Sequence, residues 1–386
     1  MKRFAALLLA VCLLLTAAGC GGQTSAPAES RSSAAAPAVP QWGSLALTSS
    51  MQPQYATEFA VDYYEGGYKL LTVRDTDRYL VVPEGGALPQ GLDADIVPLY
   101  QPLDSVYLAA TAAMALFDVL DSLDAIKLSG TQANGWYIEN AAKAMEAGDI
   151  LFAGKYSQPD YELLTQTGCD LAIESTMIYH TPKVKEMLEQ LGIPVFVEGS
   201  SYEQHPLGRT EWVRLYGAML NKEEEADAFF TTQSAVIEQL KDYPNTEKTV
   251  GFFYVSSDGR AVVRTSDDYL ARMIEIAGGR YVFDDLTKED SNNATMTVTM
   301  ESFYREAADA DFLIYNSTID ELIETTDDLI AKSDLLADFK AVREGNVWCT
   351  GKYLYQATDI VGSLIVDLHN MLTGDTESMT FLYPIR

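Results

Sequence analysis

The stretch ILFAGKYSQPDYELLTQTGCDLAIESTMIYHTPKVKEMLEQLGIPVFVEG (150–199) decides the fold class. It contains three short, nearly all-apolar runs: ILFAG (150–154), LAIES (171–175) and IPVFVEG (193–199). Two segments with helical periodicity, 159–167 and 182–191, lie between them. Short apolar strands that alternate with amphipathic helices predict a mostly parallel sheet covered by helices on both faces.

The same alternation extends in both directions. Upstream, IVPLY (96–100) precedes a predicted helix at 106–121, and AIKLSG (125–130) precedes one at 137–147. A long helical stretch covers about 210–242, with Asn221-Lys222 as a candidate interruption. A second alternation begins at TVGFFYVS (249–256) and ends in a helix at 357–373. The pattern predicts two Rossmann-like α/β lobes with mostly parallel sheets, joined by a long helix, with a ligand cleft between them.

The predicted boundaries are 42–208 for the N-terminal lobe, 209–243 for the connecting helix and 244–386 for the C-terminal lobe. Residues 42 to about 98 depart from the α/β pattern. Their short alternating runs are separated by Gly66-Gly67 and by Asp75-Thr76-Asp77. This part is predicted to be a β-hairpin or meander added at the domain edge.

The N-terminus MKRFAALLLAVCLLLTAAGC (1–20) has the composition of an export signal. Lys2 and Arg3 precede a short apolar run, which is too short to favour a spanning helix. The ending Ala-Ala-Gly-Cys resembles a bacterial lipobox, which implies acylation of Cys20 and anchoring at the outer face of a membrane. An ordinary cleaved signal is the alternative. Residues 21–41 are rich in Ser, Ala and Pro and are predicted to be a flexible tether.

Composition narrows the function classes. The chain carries 27 Lys and Arg against 56 Asp and Glu, a net charge of −29. This acidity argues against binding of a nucleic-acid backbone. Cys169 and Cys349 are predicted to be buried or free thiols rather than a disulfide or a metal pair. Because no P-loop, zinc-protease or nucleophile-elbow motif is present, the sequence favours a binding protein over an enzyme.

Four segments follow one another along the chain: 148–176, LEQLGIPVFVE (188–198), YLARMIEIAGGRYVF (269–283) and VTMESFYREAADADFLIYNS (298–317). In this order they resemble motifs of the substrate-binding lipoproteins of ABC importers, in the siderophore, haem and cobalamin class. SSYEQHPLGRTEW (200–212) also resembles a subgroup of Gram-positive proteins assigned to iron-complex import. The resemblance implies a monomer with no cofactor of its own. It would carry a metal chelate to an ABC permease and its ATPase.

Aromatic, cationic and histidine side chains that follow strands are the candidate ligand contacts, since ligands bind beyond the carboxyl ends of the strands in such sheets. Rings from both lobes would suit a planar or aromatic chelate, and guanidinium groups would pair with its negative charge. The predicted ligand-binding residues are Trp136, Tyr137, Lys155, Tyr156, Tyr179, His180, Tyr202, His205, Arg209, Tyr254, Arg264, Tyr315, Trp348 and Tyr353.

Several alternatives stay open. Arg209 could instead pair with Glu203 or Glu211, and Arg264 with Asp267 or Asp268. His180 and His205, with Glu198 or Glu203, could form a metal site, which would make the chain a binding protein for a free metal ion. A cell-surface enzyme is a further alternative.

The resemblance also implies one exposed glutamate on each lobe that docks against the permease. Glu301 is the match on the second lobe, and helix capping is its alternative role. On the first lobe Glu174 and Glu186 are both candidates.

Overall fold

A computed structural model describes residues 39–241, 245–287 and 294–386. The predicted export signal, the acylated Cys20 and residues 21–38 of the predicted tether lie outside the described residues. Within the described ranges, the helices are too short or too polar to cross a membrane.

Five strands form an N-terminal sheet in the order β1-β2-β3-β4-β5, antiparallel except for the parallel pair β4 and β5. The predicted β-addition is therefore present, but the prediction that IVPLY (96–100) opens the first α/β lobe is wrong. This run pairs with β4 instead. The sequence could not show this partner, because a five-residue apolar strand carries no local signal for the strand it pairs with. The strands are β1 (Leu47–Ser50), β2 (Phe59–Tyr64), β3 (Lys69–Val73), β4 (Asp77–Val82) and β5 (Ile96–Tyr100).

The first α/β lobe has a fully parallel sheet in the order β12-β11-β6-β7-β8, with β9 and β10 as a small antiparallel ribbon. Its first strand, β6, occupies the start of the segment predicted as a helix at 106–121. The elements are β6 (Val106–Leu108), α1 (Thr111–Val119), β7 (Ile126–Ser129), α2 (Glu139–Ala147), β8 (Leu151–Phe152), β9 (Gly154–Lys155), β10 (Gln158–Pro159), α3 (Tyr161–Thr167), β11 (Leu171–Ser175), α4 (Pro182–Gln190) and β12 (Val195–Glu198).

The segment between the lobes is two helices, α5 (Pro206–Leu220) and α6 (Glu223–Leu240), rather than one continuous helix. Asn221 ends α5 in the left-handed region, at φ +59°, a conformation that Asn tolerates better than most residues. The helices pack closely at Gly217, where an added Cβ would lie 2.6 Å from the Cβ of Ala226. The chain therefore turns back at Asn221.

The second lobe has a mixed sheet in the order β16-β14-β13-β17-β18-β19, and β15 pairs with β13. Its centre is parallel and its outer pairs are antiparallel. The prediction of two α/β lobes is confirmed. The elements are β13 (Thr249–Val255), β14 (Ala261–Arg264), α7 (Tyr269–Ile276), β15 (Arg280–Tyr281), β16 (Thr295–Val298), α8 (Met300–Ala307), β17 (Phe312–Tyr315), α9 (Thr326–Lys332), α10 (Lys340–Glu344), β18 (Val347–Thr350), α11 (Val361–Thr373) and β19 (Leu382–Pro384).

Two buried carboxylates fasten the N-terminal sheet to α5. Glu211 accepts backbone N–H groups of residues 54–56 at 2.8–3.0 Å, and Glu203 accepts those of residues 57 and 58 at 2.8 and 3.0 Å. Arg214 also pairs with Glu211, at 3.0 Å. Buried carboxylates are costly unless they are hydrogen-bonded in this way. The N-terminal sheet is therefore an integral part of the first lobe.

One continuous apolar core runs from the N-terminal sheet through α5 into the second lobe. Trp212 of α5 is fully buried and packs edge-on against Phe59 of β2 and Phe196 of β12. The same core includes Ile274 of α7 and Leu364 of α11. Because α5 is buried against both lobes, large separations of the lobes would expose apolar surface at a cost.

Candidate functional site

Loops at the carboxyl ends of the first-lobe strands form an exposed rim. β11 and β12 are adjacent and parallel, so the loops that follow them leave the sheet at one edge. These loops are the short 3₁₀ turns Thr176–His180 and Ser200–Tyr202. Five predicted ligand-binding residues are solvent-exposed on first-lobe loops or on β9: Tyr137, Lys155, Tyr179, His180 and Tyr202. A sixth, Tyr156, is half-buried.

Three other predicted contacts belong to the hydrophobic core. Tyr315 is fully buried, and its hydroxyl donates to Asp320 at 2.6 Å. Trp136 is buried, and its Nε1 donates to Ser129 Oγ at 3.1 Å. Trp348 is also buried. The structure corrects the prediction that these rings line the cleft, because position near a strand end does not determine which way a side chain faces.

An arginine–tyrosine cluster joins the two lobes: Arg209, Arg264, Tyr269 and Tyr355. Arg209, in the first turn of α5, lies 4.0 Å from the ring centre of Tyr269, the first residue of α7. Arg264 ends β14 and donates to the Tyr355 hydroxyl. Burial raises the pKa of Tyr269 to about 12, although the charges of Arg209 and Arg264 oppose the shift. The positive charges of both arginines therefore favour the ionised form of the same buried hydroxyl at the lobe junction.

Arg209 is only 7% exposed, yet no hydrogen bond or ion pair joins its guanidinium to another described residue. The alternative pairing with Glu203 or Glu211 does not form, because those carboxylates hold residues 54–58. The Tyr269 hydroxyl is likewise buried without a hydrogen-bond partner in the described ranges. A buried guanidinium has five N–H donors to satisfy, so this position suits a ligand that brings acceptor oxygens.

Arg264 differs from Arg209 because the protein partly satisfies it. It forms an ion pair with Asp268 at 3.6 Å, which was its predicted alternative role. The Tyr355 hydroxyl also accepts from Asn316 Nδ2 at 2.8 Å. Arg264 is therefore held in place at the junction by Asp268 and Tyr355.

A buried acid lies near the same junction. Glu198 ends β12 and is 3% exposed. Burial raises its pKa, while the hydrogen bond from the Ser200 N–H at 2.7 Å and the charge of Arg209 lower it. Arg209 is therefore in the electrostatic field of a first-lobe carboxyl as well as in contact with a second-lobe ring.

A cavity of about 540 Å³ spans both lobes and contains two of the predicted residues, Tyr137 and Tyr353. The Tyr137 N–H donates to Gln356 Oε1 at 2.8 Å, and Gln356 Nε2 donates to the Gly135 carbonyl at 2.7 Å. Gln356 thus holds the first-lobe loop against the second lobe. The lining is Tyr137, Leu322, Ile323, Glu324, Cys349, Gly351, Lys352, Tyr353, Tyr383 and Pro384.

Tyr254, also predicted as a contact, lines a separate cavity of about 570 Å³ beyond the carboxyl end of β13. Burial raises its pKa, and the nearby Tyr355 adds to the shift. Tyr254 is therefore close to the arginine–tyrosine cluster.

Tyr269 and Gln356 were not predicted from the sequence. Tyr269 follows Asp268, which caps α7 by accepting from the Leu270 N–H at 3.0 Å, so its context is that of an ordinary helix start. Gln356 lies in a loop without any motif. Only the meeting of two distant segments shows that these side chains are at the junction.

The two loop histidines occupy different environments. His180 is exposed. His205 caps α5, with Nδ1 accepting from the Leu207 N–H at 3.2 Å, and its ring stacks on Tyr55 at 4.4 Å. Burial lowers the pKa of His205 to about 4. Across the described ranges, no three His, Cys, Asp or Glu side chains are grouped so that they could hold a metal ion.

The predicted docking glutamates differ in accessibility. Glu301 is exposed in the first turn of α8, and Glu186 is exposed on α4. Glu174 is fully buried in β11, and neither of its carboxylate oxygens has a hydrogen-bond partner among the described residues. The candidacy of Glu174 for docking is wrong, because a side chain inside a sheet covered on both faces cannot reach another protein.

Both remaining cysteines are buried free thiols, as predicted. Burial raises the pKa of Cys169 to about 12 and that of Cys349 to about 11. Neither thiol is activated as a nucleophile.

A family profile for periplasmic binding proteins matches residues 114–354. Two relatives from Methanocaldococcus jannaschii are described as uncharacterized lipoproteins. MJ0878 is 26% identical over 70% of this chain and 65% of its own length. MJ0872 is 23% identical over 86% of each chain. This chain therefore spans about two thirds of the first relative and most of the second.

Solved structures with the same fold include a periplasmic haem-binding protein from Pseudomonas aeruginosa, at 15% identity and a TM-score of 0.56, covering 73% of this chain and 98% of that one. The vitamin B12-binding protein BtuF of Vibrio cholerae has 14% identity and a TM-score of 0.51, with coverages of 72% and 99%. An ABC-type Fe3+-hydroxamate transport protein from Saccharomonospora viridis has 18% identity and a TM-score of 0.52, with coverages of 70% and 93%.

Proposed function

The chain belongs to the periplasmic binding protein family, and on that premise we propose that it captures an iron–siderophore complex or a related metal chelate outside the cell and delivers it to an ABC permease. Membership in a family of binding proteins agrees with the prediction that the chain is not an enzyme. The predicted family is confirmed, and the identity of the cargo is the proposal.

The arginine–tyrosine cluster carries this proposal. Arg209 keeps a buried positive charge at the lobe junction without a carboxylate partner among the described residues, in a chain of net charge −29. A ligand with anionic or carbonyl oxygens would satisfy these donors. Siderophore complexes, and haem through its carboxylates, offer such oxygens.

The size and lining of the lobe-spanning cavity support a large, partly aromatic cargo. Its volume of about 540 Å³ is within the range typical of small-molecule sites. Its three tyrosines, Tyr137, Tyr353 and Tyr383, offer aromatic surface to such a cargo. The named ligands of the structural neighbours, haem, vitamin B12 and an Fe3+-hydroxamate, are chelates of this kind.

We place the protein at the outer face of a membrane. The lipobox-like ending at Cys20 predicts a lipid anchor, and the two relatives from Methanocaldococcus jannaschii are described as lipoproteins. Labelling with an alkyne fatty acid tests the anchor: the full-length chain should incorporate the label, whereas the Cys20→Ser variant should not.

Calorimetric titration of the mature protein tests the cargo class. The probes are a ferric trihydroxamate, a ferric tris-catecholate, haem and cobalamin. We expect one of them to bind in the micromolar range or tighter, that is, with about −8 kcal/mol or more. Absence of binding to all four would reject the proposed cargo class, whatever the behaviour of any variant.

Glu186 and Glu301 are expected to dock the permease. Replacing both by Ala should lower uptake of the cargo about tenfold or more in cells carrying the permease, because exposed charges steer and orient association. Affinity for the cargo should be unchanged, since both side chains are exposed and outside the described cluster.

The matched control is Glu306→Ala, which removes an exposed acid from the same helix as Glu301. Glu306 pairs with Arg305 at 3.1 Å, and its loss should leave uptake at the wild-type level. Wild-type uptake by the Glu186→Ala, Glu301→Ala double variant would reject the docking assignment.

A further inference from the structure

The turn between β3 and β4 of the N-terminal sheet reaches the exposed rim of the first lobe. The guanidinium carbon of Arg74, in that turn, lies 4.2 Å from the ring centre of Tyr202 and 6.0 Å from that of Tyr179. Both tyrosines follow strand ends, in the turns after β12 and β11. The added sheet therefore supplies a cation at the edge where ligands bind in this fold.

We propose that Arg74, Tyr179 and Tyr202 form a subsite for an anionic group at the periphery of the bound chelate. This inference rests on the proposed function and adds a ligand contact from the N-terminal sheet. Neither the family profile, which begins at residue 114, nor the candidate residues inferred from sequence include Arg74.

The stacking of Arg74 leaves its donors available. A guanidinium packed face-on against a ring keeps its N–H edge free for bidentate contact with a carboxylate or phenolate. The backbone N–H of Arg74 donates to the Glu58 carbonyl at 2.8 Å, but no hydrogen bond or ion pair joins its guanidinium to another described residue. Tyr179 and Tyr202 are 44% and 43% exposed, so a ligand in the cleft can reach the group.

The unpaired guanidinium of Arg74 contrasts with a nearby arginine that is paired with acids. Asp77, at the start of β4, accepts a hydrogen bond from the Tyr179 hydroxyl at 3.4 Å. Arg78, four residues further, is held by carboxylates instead: it contacts both Asp93 and Asp95, at 3.3 and 3.1 Å. Arg74 faces aromatic rings instead, so its charge remains accessible to an incoming anion.

The backbone of the turn indicates that Arg74 is placed at a conformational cost. Arg74 and Asp75 have φ of +52° and +58°, the left-handed region where Gly and Asn are preferred in hairpin turns. Asp tolerates this region better than arginine does, so the cost falls mainly on Arg74. In this conformation the Arg74 side chain packs on Tyr202.

Titration of two matched ligand pairs tests the subsite: haem against its dimethyl ester, and a ferric tris-catecholate against a neutral ferric trihydroxamate. Arg74→Ala should weaken binding of the anionic member about tenfold or more, because a charge-assisted hydrogen bond is lost. The neutral member should change less than about threefold. Arg74→Lys should not restore the affinity, because an ammonium cannot stack and bind in a bidentate manner.

Arg78→Ala is the control, since it removes a cation from the same sheet that is already paired with acids. It should leave all affinities unchanged, and thermal unfolding should confirm that both variants are folded. Binding of an anionic chelate that Arg74→Ala does not weaken would overturn the subsite. Wild-type protein that binds only neutral chelates would also overturn the subsite but not the proposed function. Wild-type protein that binds none would remove both.

Discussion

Replacing Arg209 by Ala is expected to weaken binding of the cargo by about 30- to 1,000-fold, or roughly 2–4 kcal/mol. Arg209 is buried at the lobe junction against Tyr269, where its hydrogen bonds to a ligand would be shielded from water and therefore strong. Calorimetric titration with the chelate that binds the wild-type protein measures the effect. Arg209→Lys should recover only part of the loss, because the lysine ammonium lacks the planar fork.

The melting temperature distinguishes a ligand-binding role of Arg209 from a purely structural role. Because Arg209 has no ion pair with another described residue, its removal should leave the melting temperature of the ligand-free protein unchanged or raise it. Arg272→Ala, which removes an exposed arginine from α7, is the control and should leave affinity at the wild-type level. A variant at Arg209 that melts early yet binds normally would show that the side chain only supports packing.

Replacing Glu174 by Gln is expected to make the protein more stable at alkaline pH. Burial raises the pKa of Glu174 from 4.5 to about 8, so the folded protein keeps a proton that the unfolded chain releases. The stabilisation from this proton is fully present below about pH 4.5 and is lost as the pH rises to about 8. In this window the free energy of unfolding should fall by about 1.4 kcal/mol per pH unit, roughly 3–5 kcal/mol in all.

Denaturant unfolding of the wild type and the variant between pH 4 and pH 9 measures this difference. The two proteins should be similar in stability near pH 4 and should diverge up to about pH 8, because glutamine cannot ionise. Glu162→Gln on the exposed face of α3 is the control, since that carboxyl keeps its contact with water on folding. A constant difference across the whole range would contradict the burial of an ionisable Glu174.

The alternation of apolar runs with amphipathic helices was sufficient to predict the two lobes. LAIES (171–175) and TVGFFYVS (249–256) became the inner strands β11 and β13, because short, mostly apolar runs are stable only inside a covered sheet. The pairing of IVPLY with the N-terminal sheet was not predictable, since the choice of partner depends on loops and neighbours far along the chain. The break between α5 and α6, by contrast, falls at Asn221-Lys222, the candidate interruption in the helical pattern.

The candidate site was predicted in outline and corrected in detail. Arg209 and Arg264 were identified because arginines are few, and the structure brings both to the ring of Tyr269 or its hydroxyl. Trp136 and Tyr315 were misplaced, because a ring after a strand can turn toward the core or the solvent with the same sequence. Their environments depend on the helices that cover the sheet.

The sequence by itself determined the family and the two α/β lobes, because these depend on local periodicity and on the order of motifs. Only the tertiary structure decided whether an individual charged side chain is buried, paired or exposed to solvent. Glu174 and Glu186 are both acids near the same strand, but one is enclosed by packed layers and the other faces water. Arg74 meets Tyr202 across 128 positions of chain, and such contacts arise from packing between distant segments, which no local pattern records.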